Sequence, residues 1–351
     1  MKILIMHELF PPEVSGGGEM LMFRLAKGLQ KKGHDITVLT SGDPKIKEYE
    51  GVKTVRIPVN RYATNLALPI ALKYAKDADV IQSCTGNMTF PAYLAAKILK
   101  KPICHLVLLN LGSSWKDTRG NLAGSLFMKL ERFYNSRKFD TVVVMNNMMR
   151  SAMREATGAR TVLLQPGIDH EKFRKYRKIR RENIVLFVGN FAMNGVMAKL
   201  KGLPYLIEAA RKLPDVKFVV VGEGSAIDEM KKTSPLNVEF MGKVVGNQLV
   251  KLYSKSLVFC LPSMSESFSF VTAEAMAAGC AVVSTIDLGQ AGRTIRPMDS
   301  DEIAEAVKLY VARPEIALRD GMKNRRNAEK LFRWERLVDG FEKIYKELLS
   351  P

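Results

Sequence analysis

Short apolar runs alternate with helix-length amphipathic segments along this chain, and the alternation limits its fold more than any other feature. Several runs are apolar at every position, as expected for parallel strands that are covered on both faces. The strands are predicted at residues 2–6, 36–40, 80–83, 103–109 and 141–145, and after Pro166 at residues 184–189, 217–222, 238–241, 257–261 and 281–284. A repeated strand–helix order predicts an α/β protein with doubly wound parallel sheets.

The alternation breaks at Gln165-Pro166-Gly167-Ile168-Asp169, where proline and glycine interrupt both strand and helix periodicity. A chain of 351 residues also suits two α/β domains of ordinary size better than one. We therefore predict Rossmann-like domains over residues 1–165 and 166–333. The last helix, within residues 334–351, is expected to cross back to the N-terminal domain.

The chain carries a net charge of +18, which favours contact with an anionic partner. The densest basic run covers residues 174–181. No nucleic-acid-binding motif accompanies it, so nucleic acid is not predicted as a partner. Two interpretations stay open: a solvated surface that keeps the protein soluble, and attraction to an anionic membrane surface at about 1 kcal/mol per basic residue.

Hydropathy and cysteine usage predict a cytoplasmic protein. No segment reaches the roughly 18 apolar residues that a spanning helix needs. Residues 1–6 are predicted as a first strand rather than a signal peptide, because the run is short and polar residues and prolines follow it. The four cysteines form no C-x-x-C pair and lie in or beside apolar runs, as expected for small core residues in a reducing compartment.

A glycine-rich segment, Gly16, Gly17 and Gly18, lies between the first predicted strand and the first predicted helix. Glycines let the backbone approach a ligand closely, and a helix N-terminus offers N–H groups and a partial positive charge. The segment predicts a site for a phosphate or an anionic transition state. The alternative is a flexible surface turn.

A second motif, residues 265–279, follows the predicted strand at 257–261 and contains Glu266 and Glu274. On one helix they would be separated by roughly 80° and share one side of it, with Glu266 in the loop or first turn and Glu274 deeper in the helix. Carboxylates accept hydrogen bonds from vicinal sugar hydroxyls, and the N–H groups around Phe268, Ser269 and Phe270 would point at the same pocket. The alternative is that Glu266 caps a helix and Glu274 lies on a solvated face.

Two further loops follow predicted strands in the second half of the chain. Asn190 follows Gly189 in a loop that leads to Lys201, and a lysine near the carboxyl end of a strand can neutralise a diphosphate. Gly222 lies in a glycine-rich turn that would help to wall a base pocket. The alternative for Lys201 is an ordinary surface lysine.

Taken in order, these segments resemble the retaining GT-B glycosyltransferases of the family-4 type, also described as glycosyl transferases group 1. The match runs nearly end to end and includes residues 32–39, 165–169, 201–202, 220–224 and 332–335. The resemblance implies two Rossmann-like domains that face a cleft, and transfer of a hexose from a UDP- or GDP-sugar with retention of anomeric configuration. It also implies roles for individual residues: Glu266 near the donor sugar, Glu274 on the nucleotide ribose, and Lys201 with the Gly16–Gly18 segment around the diphosphate.

The resemblance implies no cofactor beyond the nucleotide sugar as co-substrate, and no metal, because lysine and helix dipoles can stabilise a leaving diphosphate. Together with the charge, it suggests a lipid-linked, glycan or phosphorylated acceptor and a peripheral position on the cytoplasmic face of a membrane.

Some positions depart from the family pattern. Asn190 stands where arginine is usual, Ser267 and Ser269 replace usual glycines, and residues 284–297 form a shortened loop. These departures motivate a second hypothesis, a non-catalytic partner subunit that keeps the fold. A third is another GT-B enzyme such as a nucleotide-sugar epimerase.

Three histidines and one Asp-x-Asp triplet lie outside the glycine-rich and glutamate motifs above. His34 is predicted to be structural and His170 solvated, whereas His7, at the end of the first strand, could line a ligand site. The Asp77-Ala78-Asp79 triplet precedes a predicted strand and is interpreted as a helix end rather than a metal site.

Overall fold

The computed structural model describes residues 1–13, 16–108, 110–191, 196–225 and 227–350. These residues fall into two compact units. The N-terminal unit holds residues 1–115, 122–167 and 333–351, and the C-terminal unit holds residues 116–121 and 168–332. The main boundary thus follows Gly167 rather than residue 165, and the grouping of residues 116–121 with the second unit was not expected.

The N-terminal unit is built on a sheet in the strand order β3-β4-β2-β1-β5-β6-β7-β8, parallel except for the pairing of β3 with β4. Its strands are β1 (Lys2–Met6), β2 (Asp35–Ser41), β3 (Glu48–Tyr49), β4 (Val52–Ile57), β5 (Val80–Cys84), β6 (Ile103–Leu106), β7 (Thr141–Val144) and β8 (Arg160–Leu163). The strand order reverses direction between β1 and β5, and a crevice forms at such a point outside the carboxyl ends of the strands.

The helices of the first half of the chain follow the predicted helical periodicity, and most of α4 belongs to the C-terminal unit. They are α1 (Gly17–Lys31), a 3-10 helix (Arg61–Ala67), α2 (Leu68–Ala75), α3 (Thr89–Leu99), α4 (Ser114–Arg119), α5 (Asn121–Asn135) and α6 (Asn147–Thr157).

The C-terminal unit has a sheet in the order β11-β10-β9-β12-β13-β14 with parallel pairing throughout. Its strands are β9 (Glu182–Val188), β10 (Lys217–Val221), β11 (Val238–Gly242), β12 (Ser256–Leu261), β13 (Ala281–Ser284) and β14 (Gly292–Thr294). Counted within the unit, this is the 3-2-1-4-5-6 order of a Rossmann sheet, with the reversal between β9 and β12. The predicted doubly wound sheets are thereby confirmed.

The helices of the C-terminal unit lie before, between and after its strands in the chain. They are α7 (His170–Arg174), α8 (Val196–Leu200), α9 (Leu203–Arg211), α10 (Ile227–Thr233), α11 (Gly246–Lys255), α12 (Phe270–Ala278), α13 (Ser300–Ala312) and α14 (Pro314–Leu331).

The last helix, α15 (Trp334–Leu349), belongs to the N-terminal unit and packs against α1. Gly28 allows the close approach, because a Cβ there would lie 2.3 Å from a methyl carbon of Val338. The Tyr345 hydroxyl donates to Gln82 Oε1 over 2.8 Å in the buried interior. The helix is therefore an integral part of the N-terminal core.

The basic run at residues 174–181 is less available to an outside partner than its charge suggested. Arg181 is half-buried and donates to the carbonyl oxygens of Tyr253 and Ser256 over 2.9 and 2.6 Å. Arg177 pairs with Glu329. Part of this charge is therefore used inside the C-terminal unit, so neither open interpretation of the run holds for all of it.

The four cysteines are buried and free. The sulfur of Cys84 lies 3.2 Å from that of Met22 in the N-terminal core. They are small core residues, as predicted.

Candidate active site

The reversal of strand order between β9 and β12 marks the ligand-binding edge of the C-terminal sheet. Asn190 follows β9 at this edge, and Glu266 lies in the loop that follows β12. The structure brings a third predicted residue to the same place, because Lys201 contacts Glu266 directly.

Lys201 and Glu266 form an ion pair in which the Lys201 Nζ donates to Glu266 Oε1. The Ser263 hydroxyl donates to the same oxygen over 3.1 Å. The two side chains are only 21% and 10% exposed, so solvent screens the pair weakly. The carboxylate therefore holds a cation at the ligand-binding edge of the sheet.

Lys201 was expected in a loop between a strand and a helix. In the structure it lies in the turn between α8 and α9. That turn sits directly on the loop after β12. The Met264 N–H donates to the Leu200 carbonyl over 2.7 Å, and a Cβ at Gly202 would lie 2.0 Å from the Pro262 carbonyl oxygen. Only glycine permits this approach, which places Lys201 beside Glu266.

The two glutamates are not related by helix geometry. Helix α12 begins at Phe270, so Glu266 lies in the preceding loop, which is one of its two expected positions, and the 80° separation on a shared helix does not apply. The Ser269 side chain caps α12 instead and accepts a hydrogen bond from the Thr272 N–H over 3.2 Å. A short polar side chain just before a helix can accept a hydrogen bond from one of the first N–H groups, which have no partner within the helix.

Glu274 lies in the middle of α12 and is half-buried. It accepts a hydrogen bond from the Tyr253 hydroxyl over 3.2 Å. Burial raises the pKa of the Glu274 carboxyl to about 7, although the Tyr253 hydrogen bond and the charge of Lys172 act in the opposite direction. The alternative of a solvated surface glutamate is therefore wrong.

The aromatic side chains of the second motif hold the loop in place. The Phe268 ring is buried and meets the rings of Phe270 and Phe332 at centroid distances of 5.0 and 5.5 Å. The side chains of Phe268 and Ser269 are therefore buried, whereas Phe270 is half-buried.

Gly222 follows β10, and its backbone is crowded. Its φ is +143°, and a Cβ there would lie 1.9 Å from the Gly189 carbonyl oxygen. The Phe191 N–H donates to the Glu223 carbonyl over 3.0 Å, so the turns after β9 and β10 are joined. Asn190, between Gly189 and Phe191, is exposed at this edge.

Gly16, Gly17 and Gly18 form the start of α1 in the N-terminal unit, while Val14 and Ser15 of the same loop lie outside the described residues. The Gly16 N–H donates to Glu19 Oε2 over 2.9 Å. The carboxylate of Glu19 therefore already takes one N–H that the sequence suggested for an anion. A Cβ at Gly18 would lie 3.3 Å from Leu108 Cδ1, so little space is available there.

The histidines have local structural roles. His170 was expected to be solvated, which is wrong, because its Nε2 lies 2.7 Å from the Phe332 carbonyl oxygen in a half-buried position. His7 is buried, with its Nδ1 2.6 Å from the Leu9 carbonyl. His34 lies 3.1 Å from Glu342 of α15.

Asp79, of the D-x-D triplet, accepts a hydrogen bond from the Lys2 backbone over 2.7 Å.

The loop at residues 284–297 is closed in part by its own side chains. The Leu288 N–H donates to Gln290 Oε1, and the Gln290 amide donates to the Ile286 carbonyl, over 2.7 and 2.6 Å. The Thr285 hydroxyl reaches back to the Ser263 carbonyl over 2.6 Å. The loop thus supports the segment that carries Glu266.

These contacts define a compact polar site. A cation, a neighbouring carboxylate and a helix N-terminus lie at the switch point of a Rossmann sheet, and a second carboxylate lies along the same helix. The cation and N–H groups suit phosphate oxygens, whereas the carboxylates suit hydroxyl donors. Sequence reasoning missed Ser263, Thr285 and Tyr253, because each acts through a contact that no local motif encodes.

Sequence profiles of two families match the chain in succession. The profile described as Glycosyltransferase Family 4 matches residues 15–172. The profile described as Glycosyl transferases group 1 matches residues 182–312.

Among curated proteins, the phosphatidyl-myo-inositol mannosyltransferase of Mycolicibacterium smegmatis is 28% identical over 323 residues. The similarity covers 84% of this chain and 81% of the relative. An uncharacterized glycosyltransferase of Methanocaldococcus jannaschii is 24% identical and covers 99% of both chains.

Solved structures match the whole fold. A sucrose-phosphate synthase from Thermosynechococcus elongatus superposes with a TM-score of 0.78 at 20% identity, covering 99% of this chain and 98% of that one. HepE of Anabaena in complex with UDP-glucose gives a TM-score of 0.74 at 17% identity, with 99% and 100% coverage. The chain therefore belongs to the GT-B glycosyltransferases of the family-4 type.

Proposed function

We propose that the chain transfers a hexose from a UDP- or GDP-sugar to a lipid-linked or phosphorylated acceptor with retention of configuration. The observation that carries the donor part is the Lys201–Glu266 pair at the switch point of the C-terminal sheet. A fold neighbour binds UDP-glucose, and a relative is a phosphatidyl-myo-inositol mannosyltransferase, which agrees with a nucleotide-sugar donor and a lipid acceptor.

In this proposal the charge that develops on the leaving diphosphate is stabilised by Lys201 and by the N-terminus of α12. Both are fixed before the donor arrives, Lys201 by Glu266 and the helix by its Ser269 cap. Donors that are already in place cost no reorganisation during the reaction. Glu266, which borders Lys201, is assigned to the hydroxyls of the donor sugar.

The chemical step we propose is a same-face displacement. The acceptor oxygen forms a bond to the anomeric carbon as the bond from that carbon to the diphosphate oxygen breaks. The proton of the acceptor hydroxyl passes to the departing phosphate oxygen. No side-chain nucleophile, metal ion or additional cofactor takes part in this scheme.

A thermal-shift panel of UDP-, GDP-, ADP- and TDP-sugars tests the proposed donor class. A ligand at 100 times its Kd should add about 2.7 kcal/mol of stability, so a matching donor gives a clear rise in Tm. Absence of a shift with every member would overturn the enzyme proposal. A shift without sugar transfer to any acceptor preparation would favour the partner-subunit hypothesis, which Asn190 motivates.

The affinity for UDP-glucose is predicted to depend on pH through Glu274. The ribose hydroxyls would donate to its carboxylate, so binding favours the charged form and releases a proton wherever the free carboxyl is protonated. With a pKa of about 7 before binding, the Kd should fall on the order of tenfold from pH 6 to pH 8.

Titration calorimetry at several pH values measures this dependence. UDP-glucose is the suitable probe, since its diphosphate is esterified at both ends and has no phosphate group that titrates near pH 6. In Glu274→Gln the Kd should be nearly independent of pH. Equal dependence in the wild type and in this variant would remove Glu274 from the ribose site.

The proposed peripheral position on a membrane is supported by the exposed surface of α5. Leu122, Leu126, Leu130 and Phe133 lie on one face of this helix, and their exposed fractions run from 38% to 92%. Gly124, on the opposite face, is buried, and the Glu131 carboxylate accepts the Leu111 and Gly112 N–H groups over 2.9 and 2.8 Å. The helix thus binds the unit by its polar side and leaves its apolar side in water.

Basic residues accompany that apolar face. Lys129 and Arg132 are exposed on α5, and Arg137 stacks over the Phe133 ring at 4.0 Å. An apolar stripe with basic neighbours is typical of a helix that lies in the interface of an anionic membrane. No helix among the described residues is long and apolar enough to cross a bilayer.

Serine at both Leu122 and Leu126 is predicted to weaken binding to phosphatidylserine-containing vesicles by about tenfold or more, because each leucine contributes roughly 1.5 kcal/mol or more when buried. Co-sedimentation measures the effect. The control is Leu236→Ser, since Leu236 is a fully exposed leucine of the C-terminal unit. Binding should fall as salt rises. Salt-independent binding, or equal binding by both variants, would contradict this assignment.

A further inference from the structure

The carboxyl ends of β1 and β5 meet at the switch point of the N-terminal sheet, and an ion pair lies there that the donor site does not use. Glu8 follows β1, and its side chain is only 10% exposed. Arg61 donates to its Oε1, through Nε over 3.1 Å and also through a terminal nitrogen. Asn87, after β5, donates to its Oε2 through its backbone and side chain, over 3.0 and 3.1 Å.

The backbone around Glu8 is shaped to hold this carboxylate. The Glu8 carbonyl accepts hydrogen bonds from the Ser41 hydroxyl and N–H over 2.5 and 3.3 Å. Gly86 has a φ of +136°, and a Cβ there would lie 2.9 Å from Glu8 Oε2. Glu8 is thus fixed from several elements, and it fixes the guanidinium of Arg61 in turn.

A need for stability does not explain this cluster well. Moving an ion pair out of water costs about as much as its attraction returns, and apolar side chains of similar volume often stabilise such positions better. A charged pair fixed at the ligand-binding edge of a Rossmann sheet is better explained by recognition of a ligand. Arg61 keeps about a third of its side chain, 32%, exposed to solvent.

The surroundings of the cluster are apolar and exposed. Tyr62 and Leu66, on the same 3-10 helix as Arg61, are 67% and 75% exposed. Three residues beyond Asn87, the Phe90 ring lies 5.8 Å from the ring of Phe133, on the proposed membrane helix α5. The guanidinium thus lies 5.7 Å from the Tyr62 ring, and the segment that carries Asn87 leads into a helix that contacts α5 through Phe90.

We propose that Arg61, oriented by Glu8 and Asn87, binds the phosphate of an amphiphilic acceptor whose apolar chains lie along Tyr62 and Leu66. This inference rests on the proposed transferase function and deepens it by naming the acceptor class and its anchor. A guanidinium matches phosphate oxygens in a planar, bidentate arrangement, and its pairing with Glu8 limits the directions in which it can point. Glu8 and Asn87 are positioning residues in this assignment.

Titration calorimetry with three probes tests the site: dioctanoyl phosphatidic acid below its micelle concentration, dioctanoylglycerol and glycerol 3-phosphate. We expect the phosphatidic acid to bind, and both the uncharged lipid and the chain-free phosphate to bind at least about tenfold more weakly. Equal binding of glycerol 3-phosphate would overturn the role of the apolar residues. Equal binding of dioctanoylglycerol would overturn the phosphate site.

Variants of Arg61 distinguish a role in binding lipid from a role in stabilising the fold. Arg61→Ala should weaken phosphatidic acid binding by about tenfold or more, and Arg61→Lys, which keeps the charge without the planar fork, should restore only part of it. The control is Arg24→Ala, since Arg24 is exposed on α1. A purely structural role would lower Tm in Arg61→Ala and leave lipid affinity unchanged in both Arg61 variants, which would overturn the proposal.

A nucleotide-sugar thermal shift on the same variants keeps the two proposals apart. Arg61→Ala should retain the donor shift of the wild type, because the donor site lies in the C-terminal unit. Loss of lipid binding with an intact donor shift supports the acceptor site. A donor shift without any phosphatidic acid binding by the wild type overturns the acceptor site alone.

Discussion

Replacing Lys201 with methionine is expected to lower turnover by about 10²- to 10³-fold, which corresponds to roughly 2.7–4 kcal/mol of transition-state stabilisation. Methionine keeps most of the length of the side chain and removes its charge. The leaving diphosphate would then lose the cation that Glu266 holds beside it. Because the charge develops mainly in the transition state, kcat should fall far more than KM for the donor rises.

Lys199→Met is the matched control, because Lys199 is an exposed lysine two positions away on α8. Removing Lys201 also leaves Glu266 without its ion-pair partner, which can lower stability. The double variant Lys201→Met/Glu266→Gln removes that unpaired charge and should be at least as slow as the single variant, because Glu266 is itself assigned to the donor sugar. Recovery of turnover in the double variant would show that the unpaired Glu266 carboxylate, and not the loss of the Lys201 cation, slows the reaction.

The substitution Gly202→Ala is expected to destabilise the C-terminal unit by about 3–5 kcal/mol. An alanine at φ +75° costs roughly 1–2 kcal/mol by itself. Its Cβ would also lie 2.0 Å from the Pro262 carbonyl oxygen, so the backbone of one loop must move. The movement would separate Lys201 from Glu266, and activity should fall together with stability.

Thermal unfolding of Gly202→Ala beside Gly246→Ala separates the two causes. Gly246 has a similar φ of +61°, but a Cβ there would meet open space. Only the backbone cost, roughly 1–2 kcal/mol, should appear in that control. A similar drop in Tm for both variants would mean that the approach of Gly202 to Pro262 is not needed to hold the two loops together.

Most of the sheet architecture could be predicted because buried parallel strands are continuous apolar runs. The strands that escaped prediction lack such runs. In β4, Lys53 and Arg56 interrupt the apolar positions, and β14 consists of glycine, arginine and threonine. Edge and half-covered strands are stabilised by pairing with a neighbour, which is a tertiary property that the local pattern does not carry.

For the donor site, residue types could be predicted but not their partners. The motifs pointed to Lys201, Glu266 and Glu274, yet the Lys201–Glu266 pair joins positions far apart in the chain through two loops that only the folded sheet brings together. The raised pKa of Glu274 and its bond to Tyr253 depend on burial against α11, which helix periodicity did not indicate. Likewise, Glu8, Arg61 and Asn87 belong to no motif and are united only by the strand order of the N-terminal sheet.

The most direct test of the donor site is titration calorimetry of the wild type, Glu274→Ala and Glu305→Ala with the nucleotide sugar that gives the largest thermal shift. Glu305 is an exposed glutamate on α13 of the same unit and serves as the control. We predict tight binding by the wild type and by Glu305→Ala, and a Kd at least about tenfold higher for Glu274→Ala, since the ribose hydroxyls would lose a charged acceptor. Equal affinity of all three proteins, or no binding by the wild type, would contradict a donor site built on Lys201, Glu266 and Glu274.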